Sequence, residues 1–148
     1  MRDEAAGRAP ADAGLRPRLF VLGTGRAIVP HGHHDMVSMH WVLHGEMHGR
    51  HYDRLDQSAT FVRMRPTIDR VLRPGDATSI SDQRDNVHWM VALRGPAISL
   101  GLVVSRLQGE GPQGRVYVDP RAAVAEGDDV LRAPILSPSE ARRRYGRG

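Results

Sequence analysis

Residues 37–44 read Val-Ser-Met-His-Trp-Val-Leu-His, so the apolar Val37, Met39, Trp41 and Leu43 alternate with Ser38, His40, Val42 and His44. Seven of these eight positions fit a period of two, and only Val42 is out of place. Such alternation marks a strand with one face buried. It predicts Trp41 in the core and His40 and His44 on an exposed polar face. Gly45-Glu46 then makes a turn, and 47–53 returns as the second strand of a hairpin. The pattern predicts that order begins at 19–25, after a flexible arm over residues 1–15 that is rich in Ala, Gly, Asp and Arg.

Further short strands are predicted at 60–64, near 77–81, and at 87–93 and 115–118. The run 98–104 is apolar throughout except for Ser99 and Gly101, which predicts a strand buried on both faces. Turns fall at Arg73-Pro74-Gly75-Asp76, Arg94-Gly95-Pro96 and Gly109-Glu110-Gly111-Pro112. Ser137-Pro138-Ser139-Glu140 has a capping serine and a first-turn proline, and it predicts a short terminal helix over 139–145. Strands at this spacing, with glycine and proline turns, argue for one small β-barrel or double-sheet jelly roll over 16–148.

Composition narrows the chemistry. The 148 residues include no cysteine and eight histidines, and all 21 basic residues are arginine. Disulfides, zinc–thiolate sites, iron–sulfur clusters, cysteine nucleophiles and lysine Schiff bases are therefore excluded. Histidine, carboxylates, hydroxyls and any metal that imidazole can hold remain. The arginines are spread among acids apart from the cluster Arg142, Arg143, Arg144 and Arg147, of which the run 142–144 is read as a solvated helix face. No basic stripe with a reading helix or aromatic platform is present, so nucleic acid is not an expected partner. No run approaches a membrane span or a signal peptide, and a cytoplasmic location is expected.

His31 and His33 stand at i and i+2, which on a strand places both imidazoles on one face. That is a common way for a sheet to offer two metal ligands. His88 follows the loop 82–86 and is the candidate third imidazole. The competing reading makes these three non-metal polar residues. His34 is read as a solvent-facing loop residue, with a substitute ligand as the alternative. His40, His44, His48 and His51 are read as surface residues, and Trp89 as core packing opposite to His88. Tyr52 is either a pocket hydroxyl or part of the barrel wall. Asp85 and Asn86 are turn formers, or else partners of a ligand imidazole.

Gly25, His31, His33 and Gly45 together resemble the first motif of the cupin superfamily, G-x5-H-x-H-x3,4-E-x6-G. The glutamate is absent, since positions 37 and 38 are Val37 and Ser38. Pro74-Gly75-Asp76 and His88 resemble the second motif. Within the cupins, Pro30-His31-Gly32-His33-His34-Asp35-Met36, Leu43-His44-Gly45-Glu46-Met47-His48, Tyr52-Asp53 and Asp85-Asn86-Val87-His88-Trp89-Met90 are similar to the thiol dioxygenases. The similarity is best to the plant cysteine oxidase and 2-aminoethanethiol dioxygenase branch. It implies a cupin barrel (a double-stranded β-helix or jelly roll) with Fe(II) held by His31, His33 and His88. It also implies oxidation of a small thiol by O2 to a sulfinic acid, and a homodimer. That branch carries an acid and a tyrosine after the third histidine that 98–105 lacks. A substrate carboxylate is expected instead, with Arg50 preferred over Arg26 as its partner and Tyr52 beside it. Two alternatives are a metal-dependent cupin oxygenase acting on a non-thiol substrate and a non-catalytic metal- or ligand-binding cupin module.

Overall fold

The computed structural model describes residues 14–107 and 114–147. The expected arm over 1–15 and the turn at 109–112 therefore fall largely or wholly outside the described residues. Among the described residues, strands β1 (Gly14–Leu22), β2 (Ala27–His33), β3 (Met36–Gln57), β4 (Phe61–Leu72) and β5 (Ala77–Ile80) come first. They are followed by β6 (Val87–Ser105), β7 (Arg115–Val118), β8 (Val124–Gly127) and β9 (Val130–Leu136), then helix α1 (Pro138–Tyr145). Gly14 and Leu15 already belong to β1, so order starts earlier than the hydrophobic pattern predicts.

The pairing closes on itself. β6 pairs with β2, β2 with β7, β7 with β9, β9 with β4, β4 with β3, and β3 again with β6, all antiparallel. β1 and β5 extend one side, against β6 and β3 respectively. The predicted barrel with one short C-terminal helix is what forms.

β3 and β6 are its long staves. Their register is regular from Met36↔Ser105 to Val42↔Ser99, breaks over 42–47, and resumes from Met47↔Ala92 to Tyr52↔Val87. The predicted hairpin turn at Gly45 is this break within one bent strand. Gly45 has φ +73°, and a Cβ there would stand 2.5 Å from the Arg94 carbonyl oxygen, so the bend requires glycine.

The alternation over 37–44 is real, but its phase is inverted. Ser38, His40 and Val42 are buried, whereas Trp41 and Leu43 are each 44% exposed and Val37 is 41% exposed. Trp41 is therefore not in the core. On β1, Leu15, Leu19 and Val21 face solvent, while Phe20 and Leu22 are half-buried against a cavity that the exposed Arg16 and Arg18 also line. Nor is 98–104 buried on both faces, because Ser99 and Gly101 point inward and the apolar residues between them lie half-buried on the outside.

The barrel is closed below that cavity by Val42, Met47, Leu72, Met90, Ala92 and Ala97. A second apolar layer, centred on Trp89, Leu136, Ala141 and Tyr145, docks α1. Helix α1 begins as the sequence predicts, with Ser137 and Glu140 forming a reciprocal capping box. The Tyr145 hydroxyl and Arg144 both bond to the Asp119 carboxylate. Arg144 is thus a structural pin, although the run 142–144 is exposed as expected.

Candidate metal centre

Three adjacent strands bring the imidazoles together. His31 on β2 is the cross-strand partner of His88 on β6, and His88 is the partner of His51 on β3. His33 lies two residues further along β2. His31, His33 and His88 are all buried, and each offers a nitrogen within 4.8 Å of the others. The ring centroids are 4.5, 4.3 and 5.3 Å apart for His31–His33, His31–His88 and His33–His88. The predicted triad therefore converges.

Local structure aims these rings. The β2–β6 register shifts between Ile28 and His31, around Pro30, which has no N–H to offer a ladder. His31 Nδ1 donates to the Val29 carbonyl oxygen at 2.7 Å, which holds the proton on Nδ1 and leaves the Nε2 lone pair free. Asn86 holds the other end of the strand. Its Oδ1 accepts from the His33 backbone N–H at 3.2 Å, and its Nδ2 donates to the His33 and Ser81 carbonyls, each at 2.9 Å. Gly32 permits this approach, because a Cβ there would stand 2.6 Å from Asn86 Oδ1. Asn86 thus supports the candidate ligand His33 through its backbone, not through its ring.

Burial pushes all three imidazoles down, His31 to about 4, His33 to about 2 and His88 well below 6.5; neighbouring histidines and, for His31 and His33, Arg115 act in the same direction. They are neutral at pH 7 and need lose no proton to ligate. His88 Nδ1 is buried with no hydrogen-bond partner, which costs about 1–3 kcal/mol unless something satisfies it. Three neutral, convergent imidazoles, one with an unsatisfied ring nitrogen, fit a divalent transition metal. Among the described residues no carboxylate joins the cluster. Ser38, at one of the two positions where the cupin motif has glutamate, lines the same cavity.

Two further histidines belong to this interior, contrary to their expected surface position. His40 faces the cavity, with Nδ1 3.4 Å from Ser99 Oγ and its ring 4.9 Å from Phe20 and 5.9 Å from His88. The His51 ring lies 5.9 Å from His88, and neither of its nitrogens has a hydrogen-bond partner. Burial lowers both pKa values to about 4. The misplaced Val42 was the signal for His40: it shares a face with Ser38 and His40, and an apolar residue there argues that the face is inside. His34 also reaches the cavity, held by Arg54 at 3.1 Å. His44 is exposed, and His48 pairs with Asp69 on the outside.

Arg50 and Tyr52 are not brought to the triad. His51 faces His88, so its chain neighbours face the other way. Arg50 stacks over Trp89 at 4.5 Å and lies 3.7 Å from Asp69. Tyr52 packs among Val62, Met64 and Val87. Both line a separate cavity of about 450 Å³ on the far side of β3.

The cavity over the triad is about 520 Å³, within the range for small-molecule sites. Phe20, Leu22, Ile28, Val29 and Met36 form its apolar wall. Four arginines line it, Arg16 and Arg18 from β1, Arg115 from β7 and Arg142 from α1, against one acid, Asp35. The hydrophobic pattern does not signal this set, because it predicts order only from 19, beyond Arg16 and Arg18, and Arg115 and Arg142 reach the cavity only through tertiary packing.

No family model and no curated protein matches this chain. Among solved structures it is similar to an oxalate oxidase, at 19% identity and TM-score 0.51, covering 70% of this chain and 46% of that one. It is also similar to the L-ribose isomerase of Cellulomonas parahominis, at 17% identity and TM-score 0.50, covering 76% and 64%. KdgF from Halomonas sp. aligns at 20% identity and TM-score 0.46, over 64% and 73%. The chain thus spans less than half of the oxalate oxidase and just under two thirds of the isomerase. The likeness to the oxalate oxidase, with the closed barrel, establishes the cupin fold. Among the described residues no helix is long and apolar enough to cross a membrane.

Proposed function

We propose that this protein is an Fe(II)-dependent oxygenase that converts a small anionic thiol to its sulfinic acid with O2. The observation that carries the reading is the joint placement of three neutral imidazoles and four arginines on one 520 Å³ cavity. His31, His33 and His88 would hold the metal through three neutral donors, leaving its positive charge uncompensated by the protein. Bound there, Fe(II) would supply the redox chemistry that joins O2 to a thiolate sulfur. The balance is RSH + O2 → RSO2H, so no further reductant is needed.

The chain's own residues do the rest. Arg16, Arg18, Arg115 and Arg142 attract and orient the substrate's carboxylate, the role first expected of Arg50. Phe20, Leu22, Ile28 and Met36 exclude water from the reacting sulfur. Val29 and Asn86 keep the His31 ring and the His33 backbone in place.

The test loads the protein anaerobically with Fe(II) and measures O2 uptake against matched thiols with and without a carboxylate. Uptake with the acids, one O2 per thiol with two oxygens found in the product, is expected. It should be lost in His31→Ala, His33→Ala and His88→Ala together with the iron. Stoichiometric iron with no uptake on any thiol would overturn the reading.

A further inference from the structure

On the far side of β3 from the triad, the second cavity holds a pair of cations that the proposed reaction does not use. Arg50 on β3 is the cross-strand partner of Trp89 on β6, and its guanidinium carbon stands 4.5 Å from the centre of the indole. Arg121, in the short 3-10 turn Pro120–Ala122, brings a second guanidinium to the same ring at 5.1 Å. The Arg121 backbone N–H donates to the Tyr145 hydroxyl at 3.0 Å, and the Tyr145 ring meets Trp89 edge-on at 5.0 Å. Helix α1 thereby fixes the turn against the indole. Trp89 is buried, and its indole N–H has no hydrogen-bond partner among the described residues.

Neither cation is neutralised where it stands. Among the described residues Arg121 has no carboxylate partner, and its guanidinium bonds only to the Arg144 carbonyl oxygen, at 3.4 Å. The nearby Asp119 carboxylate is already held by Tyr145, Arg144 and the Ala122 backbone N–H. Arg50 has Asp69 at 3.7 Å, but that carboxylate is 64% exposed and bonded to His48. Two like charges over one ring repel each other, and a guanidinium stacked on an indole keeps its N–H edges free for a planar acceptor.

We infer that this second cavity binds a small carboxylate with an apolar body, whose oxygens are clamped by Arg50 and Arg121. The charge count selects the head group. With His48 taken neutral, two guanidinium groups stand against the one carboxylate of Asp69, and the single positive charge left over matches a carboxylate rather than a phosphate dianion. The walls select the body. Tyr52, Val91, Leu93 and Pro120 line the rest of the cavity, and about 450 Å³ holds far more than a carboxyl group. Arg50 and His51 are consecutive on β3, as are His88 and Trp89 on β6, so pleating puts this site and the triad on opposite sides of the same strand pair. The inference holds whatever the first cavity oxidises.

A single indole resonance tests it. Trp41→Phe, at an exposed position, leaves Trp89 as the one tryptophan of the full chain. Benzoate titrated into this nitrogen-15-labelled protein should shift the indole N–H signal saturably, with a dissociation constant of about 1 mM or tighter. Benzamide, which keeps the ring and loses the charge, should bind at least about tenfold more weakly, and so should inorganic phosphate. Arg50→Gln and, at an exposed position, Arg121→Gln should each weaken benzoate at least about tenfold while keeping the native circular dichroism spectrum. Arg115→Gln, in the first cavity, should leave the titration unchanged. No saturation by about 10 mM, benzamide or phosphate binding as tightly as benzoate, or an affinity that survives both arginine substitutions would overturn the inference. So would a titration lost in Arg115→Gln, which would assign the anion to the first cavity.

Discussion

Replacing Asn86 by alanine probes whether the triad depends on the loop before β6. The side chain is 1% exposed and makes three hydrogen bonds, two to the His33 backbone and one to the Ser81 carbonyl. Its loss leaves the His33 N–H without a partner, whereas the His33 carbonyl keeps Arg54 at 3.1 Å. An orphaned buried donor costs about 1–3 kcal/mol, and the remaining lost bonds add about 1 kcal/mol. A destabilisation of about 2–4 kcal/mol is expected, and with a urea slope near 2 kcal/mol/M the midpoint falls by about 1–2 M. Freed from its clamp, His33 should also bind metal about 10–100-fold more weakly, the usual penalty for removing support from a ligand. Chelator competition without denaturant reads that affinity on folded protein. Gly32→Ala attacks the same contact from the other side, and the double variant should be less than additive because one clamp cannot be lost twice. An Asn86→Ala protein with unchanged midpoint and unchanged metal affinity would refute the reasoning.

The metal-free protein should lose stability in acid. Burial lowers the pKa values of His31, His33, His40, His51 and His88 below 6.5. Between about pH 6.5 and pH 4 the unfolded chain therefore binds more protons than the native one, and stability falls as pH falls. Unfolding free energies from urea titrations across that range should fall more steeply than the roughly 1.4 kcal/mol per pH unit that one group can supply; a flat profile would refute the burial argument. Arg50→Ala should leave iron content and thiol-dependent O2 uptake unchanged. It should cost less than about 1 kcal/mol in urea unfolding from the lost stacking on Trp89.

The convergent histidine triad was legible in the sequence because strand geometry is local: residues at i and i+2 share a face wherever the strand sits. His88 was legible because the motif placed it at the head of a strand. The capping box of α1 was equally local. Arg142, in contrast, reaches the cavity only because Trp89, Leu136 and Tyr145 dock the helix beside β2. The β3 bend defeated the reading of a simple hairpin. A positive-φ glycine marks a turn or a bulge alike, and only pairing with β6 on both sides of Gly45 decides between them.

The inverted phase of β1 and β3 has one cause. A period of two separates two faces but does not say which is inside. The choice is made by what the interior must contain, and here that is imidazoles around a site rather than hydrocarbon. Ser38 and His40 on β3 turn inward, the exposed Arg16 and Arg18 on β1 lie on the cavity side, and pleating then forces Val37, Trp41, Leu15 and Leu19 outward. Below the site, where nothing must bind, Val42, Met47 and Met90 fill the barrel in the ordinary way. The apolar outer face is therefore the geometric complement of the polar cavity. A charge on the outward side of β1 should act on the pocket through the strand that the two faces share.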